Sequence, residues 1–212
     1  MPAAGARRRR PGKPSPEALR ALKELKRYGL LLVTDARLPS LVALVAGAPL
    51  RGSWWSHPRG KAIFAAATEL EDHPDVAMVT LVSGKSTFVH RPLWPALLAV
   101  ASARAPWQMD ALALPVRRLL ERVEDEGVLR ADAVHGGRER ARVLEKRLLV
   151  HARSVHTESG AHEKELESWA HWARRQRVKR LRTLAAGRDA LDEALLALVG
   201  AGGGSGRMPW WN

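Results

Sequence analysis

The sequence predicts an α+β fold, mainly helical, built as two packed units. Three observations carry that prediction. Apolar residues recur three and four apart over most of the chain, bracketed by residues that start and stop helices. Two β-like runs, 76–82 and 86–90, flank the turn pair Ser83-Gly84 and so predict a β-hairpin. At Ala105-Pro106 the pattern changes from a helix apolar almost all round to amphipathic ones, which sets the boundary between the units.

In order along the chain, residues 1–14 read as a disordered basic arm, with Arg7, Arg8, Arg9, Arg10 and Lys13 among Pro, Gly and Ala. Ser15-Pro16-Glu17 then opens a helix, since Ser is a good N-cap and Pro suits the first turn. Leu19, Leu22 and Leu25 follow, and the helix stops near Gly29. A short apolar β-like run, 30–34, and a short apolar helix, 41–46, come next. Residues 51–60 form a loop rich in turn residues and aromatics. A helix over 61–71 sets Ile63, Phe64, Ala67 and Leu70 on one side, and His73-Pro74-Asp75 breaks it. After the hairpin, 93–103 forms the buried centre of the first unit, 15–105.

The second unit, 107–175, begins with an amphipathic helix carrying Val116, Leu119, Leu120 and Val123 and closing at Gly127. A short piece, 128–134, leads to Gly136-Gly137 and a helix, 139–149, with Leu144 and Leu148 inward and several Arg outward. A strand is expected over 150–156, a turn over 157–161, and a helix over 162–175 from the spacing of Leu166, Trp169 and Trp172. A basic C-terminal helix, 176–199, and a Gly-rich flexible tail, 200–212, complete the expected order.

Composition narrows the function classes. The chain has 212 residues, no cysteine, and 35 Lys+Arg against 22 Asp+Glu, for a net charge of +13. Without cysteine there is no disulfide scaffold, thiolate nucleophile, iron–sulfur cluster or Cys-based zinc site. No apolar run approaches the roughly 18 residues of a membrane span, and no apolar segment follows the basic N-terminus as in a secretory signal. A soluble cytoplasmic protein is expected, with no cofactor, metal or membrane partner. The positive balance makes polyanions the first partners to consider, although an Arg excess over Lys is also what a GC-rich coding sequence produces. The excess is uneven: residues 1–29 are net +7 and 174–212 net +5, while 107–173 are net −1.

The motifs point the same way with differing force. Gly84-Lys85-Ser86-Thr87 matches the end of a phosphate-binding loop, but its first glycine would fall at Val79 and a strand, not a helix, follows the lysine. Lys85 is better read as the tip of the hairpin, within reach of phosphate. The order of elements over 114–156, with the Arg-rich helix after Gly136-Gly137 and a strand beyond it, resembles a winged-helix domain. In that resemblance 139–149 is the recognition helix, Arg138, Arg140, Arg142, Lys146 and Arg147 are its contacts, and Arg153 lies near the wing. The loop Trp54-Trp55-Ser56-His57-Pro58-Arg59 is the most site-like segment of the first unit. Two adjacent tryptophans cannot both face one core on a regular element, so one is free to stack on a base, with His57 and Arg59 adding polar contacts. Arg174, Arg175, Lys179 and Arg180 extend the basic set.

The richest histidine segment runs from His151 through His156, Glu158 and His162 to His171. His156 and Glu158 are the weak candidates for acid–base chemistry. The spacings do not pair two histidines on one helix face, so no metal site is expected. Glu69, Glu71, Asp72 and Asp75 read as solvated charge. The expected function is nucleic-acid binding, double-stranded DNA favoured, in regulation or as a repair accessory, nucleoid-associated and without catalysis of its own. A nucleic-acid-modifying enzyme such as a DNA repair glycosylase, using the Trp54–His57 loop as a base pocket, is the first alternative. A protein-interaction scaffold is the second.

Overall fold

The computed structural model describes residues 14–50, 52–156 and 162–211. It is α+β with about 56% helix and two three-stranded antiparallel sheets. Helix α1 (Pro16–Tyr28) starts where Ser15 accepts a hydrogen bond from the Ala18 amide and ends at Gly29, whose φ of 77° no other residue adopts as easily. Strand β1 (Leu30–Leu32), helix α2 (Leu41–Ala46) and helix α3 (Gly60–Glu71) follow. The hairpin forms as expected, with β2 (Val76–Thr80) and β3 (Ser86–His90) paired through Met78 and Phe88 and joined by the turn Val82–Gly84. The first sheet has the order β1–β3–β2.

Strand periodicity makes this sheet the middle of three layers. Leu31, Val76 and Phe88 face one way, into a core with Ala21 and Leu25 of α1, Val42 of α2 and Ile63 of α3. Leu30, Leu32, Ala77, Val79 and Val89 face the other way. They meet helix α4 (Trp94–Ala101), which is buried at all but one position and therefore apolar all round.

The second unit runs through α5 (Pro106–Met109), α6 (Leu114–Glu126), β4 (Val128–Arg130), α7 (Gly137–Lys146), β5 (His151–His156) and β6 (His162–Glu167). The sheet order is β4–β6–β5, all antiparallel. Leu129 and Leu166 turn inward to a core with Leu119, Leu120, Val123, Ala141 and Leu144. Helix α8 (Trp169–Gln176) and the long α9 (Leu184–Gly202) complete the chain. The core of the first unit continues into the second: Leu148, Trp169 and Trp172 join Trp94, Leu97, Leu191 and Leu195 in one cluster.

Three expectations fail. Residues 162–167 are a strand, not the start of a helix. Leu166 does have helical spacing to Trp169 and Trp172, but β6 is the central strand and its backbone is satisfied by neighbours on both sides. The helix begins only after Ser168, whose hydroxyl accepts from the His171 amide at 3.3 Å. The basic helix over 176–199 is likewise split. Arg177 adopts a left-handed φ of 56°, 177–183 is a connection without regular secondary structure, and α9 starts at a fresh cap, Thr183.

The Gly-rich segment after α9 is not a flexible tail over its described length. The Ser83 amide donates to the Arg207 carbonyl at 2.8 Å, Met208 is buried, and the indoles of Trp210 and Trp211 donate to Asp192 at 3.1 and 3.0 Å. A Cβ on Gly202 or Gly204 would stand 2.7 Å from Arg37 atoms, and one on Gly206 3.0 Å from Leu195 and Val82. These glycines serve close approach to the body. Residues 1–13 and 157–161, which include the expected basic arm, the turn and Glu158, lie outside the described residues.

Candidate nucleic-acid interface

Helix α7 begins where the backbone doubles tightly under itself. A Cβ on Gly137 would stand 1.9 Å from the Ala131 carbonyl oxygen, so only glycine fits, and Gly136 before it takes a φ of 63°. From that start Ala141 and Leu144 face the core, which turns Arg138, Arg142 and Lys146 to solvent. Their spacing of four places them in one line, about 12 Å long at 1.5 Å per residue. None of the three forms an ion pair with a described residue. Arg140 is half-buried, with its guanidinium over Gly136. Glu139 is exposed beside the line, while Glu145 is engaged by Lys164 at 2.7 Å.

Two of the expected contacts are committed elsewhere. The guanidinium of Arg147 donates to the carbonyls of Gln108 at 2.9 Å and Asp110 at 2.6 Å. Buried Gln108 returns a bond to the Arg147 carbonyl at 3.1 Å, so the pair braces α5 against the end of α7. Arg153 on β5 faces Glu165 across the sheet and binds it at 2.6 Å.

Arg153 belongs to a ladder on the outer face of the second sheet. Strand alternation puts Glu163, Glu165 and Glu167 of β6 on that face. Arg130 of β4 pairs with Glu163, and Arg153 with Glu165. At the inner end Glu167 is 2% exposed and receives both arms of Arg175, at 2.8 and 2.6 Å. His171 Nδ1 lies 2.7 Å from Glu167, and His151 Nδ1 lies 3.6 Å away, its ring edge-on to Trp169. Burial alone would push the Glu167 carboxyl up. The Arg175 guanidinium, then the two imidazoles, outweigh it and hold the group far below the ordinary carboxylate range. Arg175 is thus a structural partner rather than a free contact. Sequence reasoning missed this hub, although Glu163, Glu165 and Glu167 at a period of two were its signal.

No protein-family model, curated protein or solved structure matches this chain.

The remaining candidates scatter over the surface. Trp54 packs on the first core and stacks on Trp55 with centroids 4.2 Å apart, while Trp55 is 66% exposed and also touches Phe64. One of the two tryptophans does project, as their adjacency requires. His57 accepts from the Arg59 amide, and the Arg59 side chain is held by Glu17 at 2.7 Å. Lys85 is bound at 2.6 Å by Asp35. Burial works to raise the Asp35 carboxyl, but the amides of Leu38 and Arg37 and the Lys85 ammonium hold it below its ordinary value. Lys85 thereby closes the loop after β1 instead of reaching outward. Arg174, Lys179 and Arg180 are exposed and form no ion pair with a described residue. His156 sits at the outer end of β5. Among the described residues no group of three metal-ligating side chains is placed to hold an ion, and no helix is long and apolar enough to cross a membrane.

Proposed function

We propose that this protein binds double-stranded DNA through a winged-helix-like second unit, as a regulator or repair accessory without catalysis of its own. The line Arg138–Arg142–Lys146 carries the reading. Three cations in register on the exposed side of one helix match a phosphate backbone better than they stabilise a fold. The topology supports it. A helix, a strand, a short 3-10 turn at Ala131–Ala133, the basic helix and a two-stranded ribbon follow one another, and the sheet order β4–β6–β5 is that of a winged helix with β5–β6 as the wing. The ion-pair ladder neutralises the outer face of that sheet, so α7 is the basic element of the unit.

Binding of a labelled random 30-mer duplex at two salt concentrations tests this reading. Affinity is expected to fall steeply with salt. Arg138→Ala, Arg142→Ala and Lys146→Ala together are expected to lower the salt slope by about 2.7, at ~0.9 per phosphate contact. A wild-type protein that ignores duplex at low salt overturns the proposal, as does a triple variant with an unchanged slope.

A second reading, an enzyme acting on a flipped base, is favoured by the exposed Trp55 stacked on Trp54. It predicts product from damaged duplex that is lost in Trp55→Ala, and an inert substrate panel removes it.

A further inference from the structure

Several of the basic residues outside α7 gather at one end of the molecule. The connection 177–183 is pinned at both ends: the Val178 amide donates to the Ala173 carbonyl at 3.0 Å, and the Leu181 amide to the Pro95 carbonyl at 3.0 Å. Val178 and Leu181 pack on the core that contains α4. With the apolar side chains drawn inward, Arg177, Lys179, Arg180 and Arg182 are exposed, and Arg174 at the end of α8 joins them.

A second basic segment arrives at the same end of the molecule. The Gly29 carbonyl, just past α1, accepts from the His90 amide at 2.9 Å, and Leu93 packs where a Gly29 side chain would be. Arg91 then reaches the Gln176 carbonyl at 3.3 Å and lies over the Trp94 ring at 4.9 Å. This brings Lys26 and Arg27, exposed in the last turn of α1, toward the connection. The His90 imidazole registers the surroundings. It is held below its ordinary value by burial first and, against the pull of Asp75, by Lys26 and His73. Of the carboxylates here, Asp75 is paired with Arg91 at 3.8 Å and Glu167 with Arg175.

This end is remote from the wing. Strand β6 runs from the wing to Glu167, about 16 Å at ~3.3 Å per step, and α8 packs there, with His171 and Arg175 both on Glu167. Helix α7 starts on the wing side, since Gly137 packs on Ala131, just past the β4 end that pairs with Glu165.

We propose that the end formed by the last turn of α1, the 91–93 turn and the 174–182 connection is a second duplex-binding surface, so that one molecule bridges two segments of double-stranded nucleic acid. The bridging rests on the duplex reading of α7. The second surface stands on its own placement.

The test mixes donor-labelled and acceptor-labelled 30-mer duplexes with the full chain and reads energy transfer between them, alongside ordinary binding of one duplex. Two variants are compared: Arg138→Ala/Arg142→Ala/Lys146→Ala, and Arg174→Ala/Lys179→Ala/Arg180→Ala/Arg182→Ala. The wild type is expected to bring the duplexes together. The second variant is expected to keep single-duplex binding through α7 while transfer falls at least tenfold. Undiminished transfer in that variant overturns the proposal, because bridging would then come from elsewhere, such as self-association. Loss of single-duplex binding in that variant, with none in the α7 variant, sinks the α7 reading and the bridging with it, but leaves this end as the duplex site. If instead the second variant loses only its binding to phosphatidylserine vesicles, the surface is a membrane one and the proposal falls.

Discussion

Replacing Glu167 by glutamine tests how much of the molecule hangs on one buried carboxylate. The substitution keeps the shape but removes the charge facing Arg175, His171 and His151. Breaking a buried ion pair from one side costs about 3–5 kcal/mol. Arg175 is 31% exposed on its side chain and can turn partly to water, so the lower figure, about 3 kcal/mol, is expected. For a chain of this size that lowers the melting temperature by roughly 6–12 °C.

The pH dependence follows from the same contacts. The folded-state pKa of Glu167 is depressed, so its stabilisation is complete above the unfolded carboxylate value, about 4.3, and is lost as pH falls toward the lower folded-state value. Urea melts at pH 7, 5, 4 and 3 should therefore show wild type losing stability below about pH 4.5, and Glu167→Gln losing less over that window. Equal midpoints at pH 7 together with parallel acid slopes would refute the reasoning.

Four other substitutions probe separate links. Gly187→Ala would gain up to about 1 kcal/mol of helix propensity, but its Cβ would stand 2.9 Å from the Ala96 carbonyl oxygen and 3.0 Å from the Ala99 side chain, so a net loss of ~1–2 kcal/mol is expected by urea melts. Trp172→Ala empties a fully buried site against Trp94 and Trp169 and should cost ~3–5 kcal/mol, with loss of near-ultraviolet circular dichroism. Asp35→Ala leaves the Arg37 and Leu38 amides without their acceptor and should cost about 1–3 kcal/mol, whereas Lys85→Ala, which leaves those bonds intact, should cost under ~1 kcal/mol; the reverse ranking in chemical denaturation would contradict the loop assignment.

Local signals in the sequence were strong where the chemistry is local. Ser15-Pro16 and Gly29 bound α1, Ser83-Gly84 turns the hairpin, and the all-apolar helix after Arg91-Pro92 is indeed the buried α4. The failures lie where distant segments decide. Leu166, Trp169 and Trp172 fit a helix on paper, and only pairing with β4 and β5 makes 162–167 a strand. Gly202, Gly204 and Gly206 carry a composition shared with loose tails, and only the position of Arg37 and Leu195 shows that they are needed small. The basic candidates divide for the same reason. Arg138, Arg140, Arg142, Lys146 and Arg147 stand together in the sequence as one basic helix, but that Arg138, Arg142 and Lys146 stay exposed while Arg147 braces α5, Arg153 faces Glu165 and Arg175 binds Glu167 depends on partners across the fold.

The shared core has a mechanical meaning. Trp94 of α4 meets Trp172 of α8 at 5.1 Å, and α9 lies along α4 with Gly187 against it. Among the described residues one buried cluster passes through both units, and dense packing transmits displacement rather than absorbing it. The two basic regions are therefore held like the jaws of a fixed caliper. On the proposed reading, a ligand that fits their separation gains from both at once, with none of the averaging a floppy tether imposes. Selection by span, rather than by letter, is the discrimination such a rigid body offers most directly.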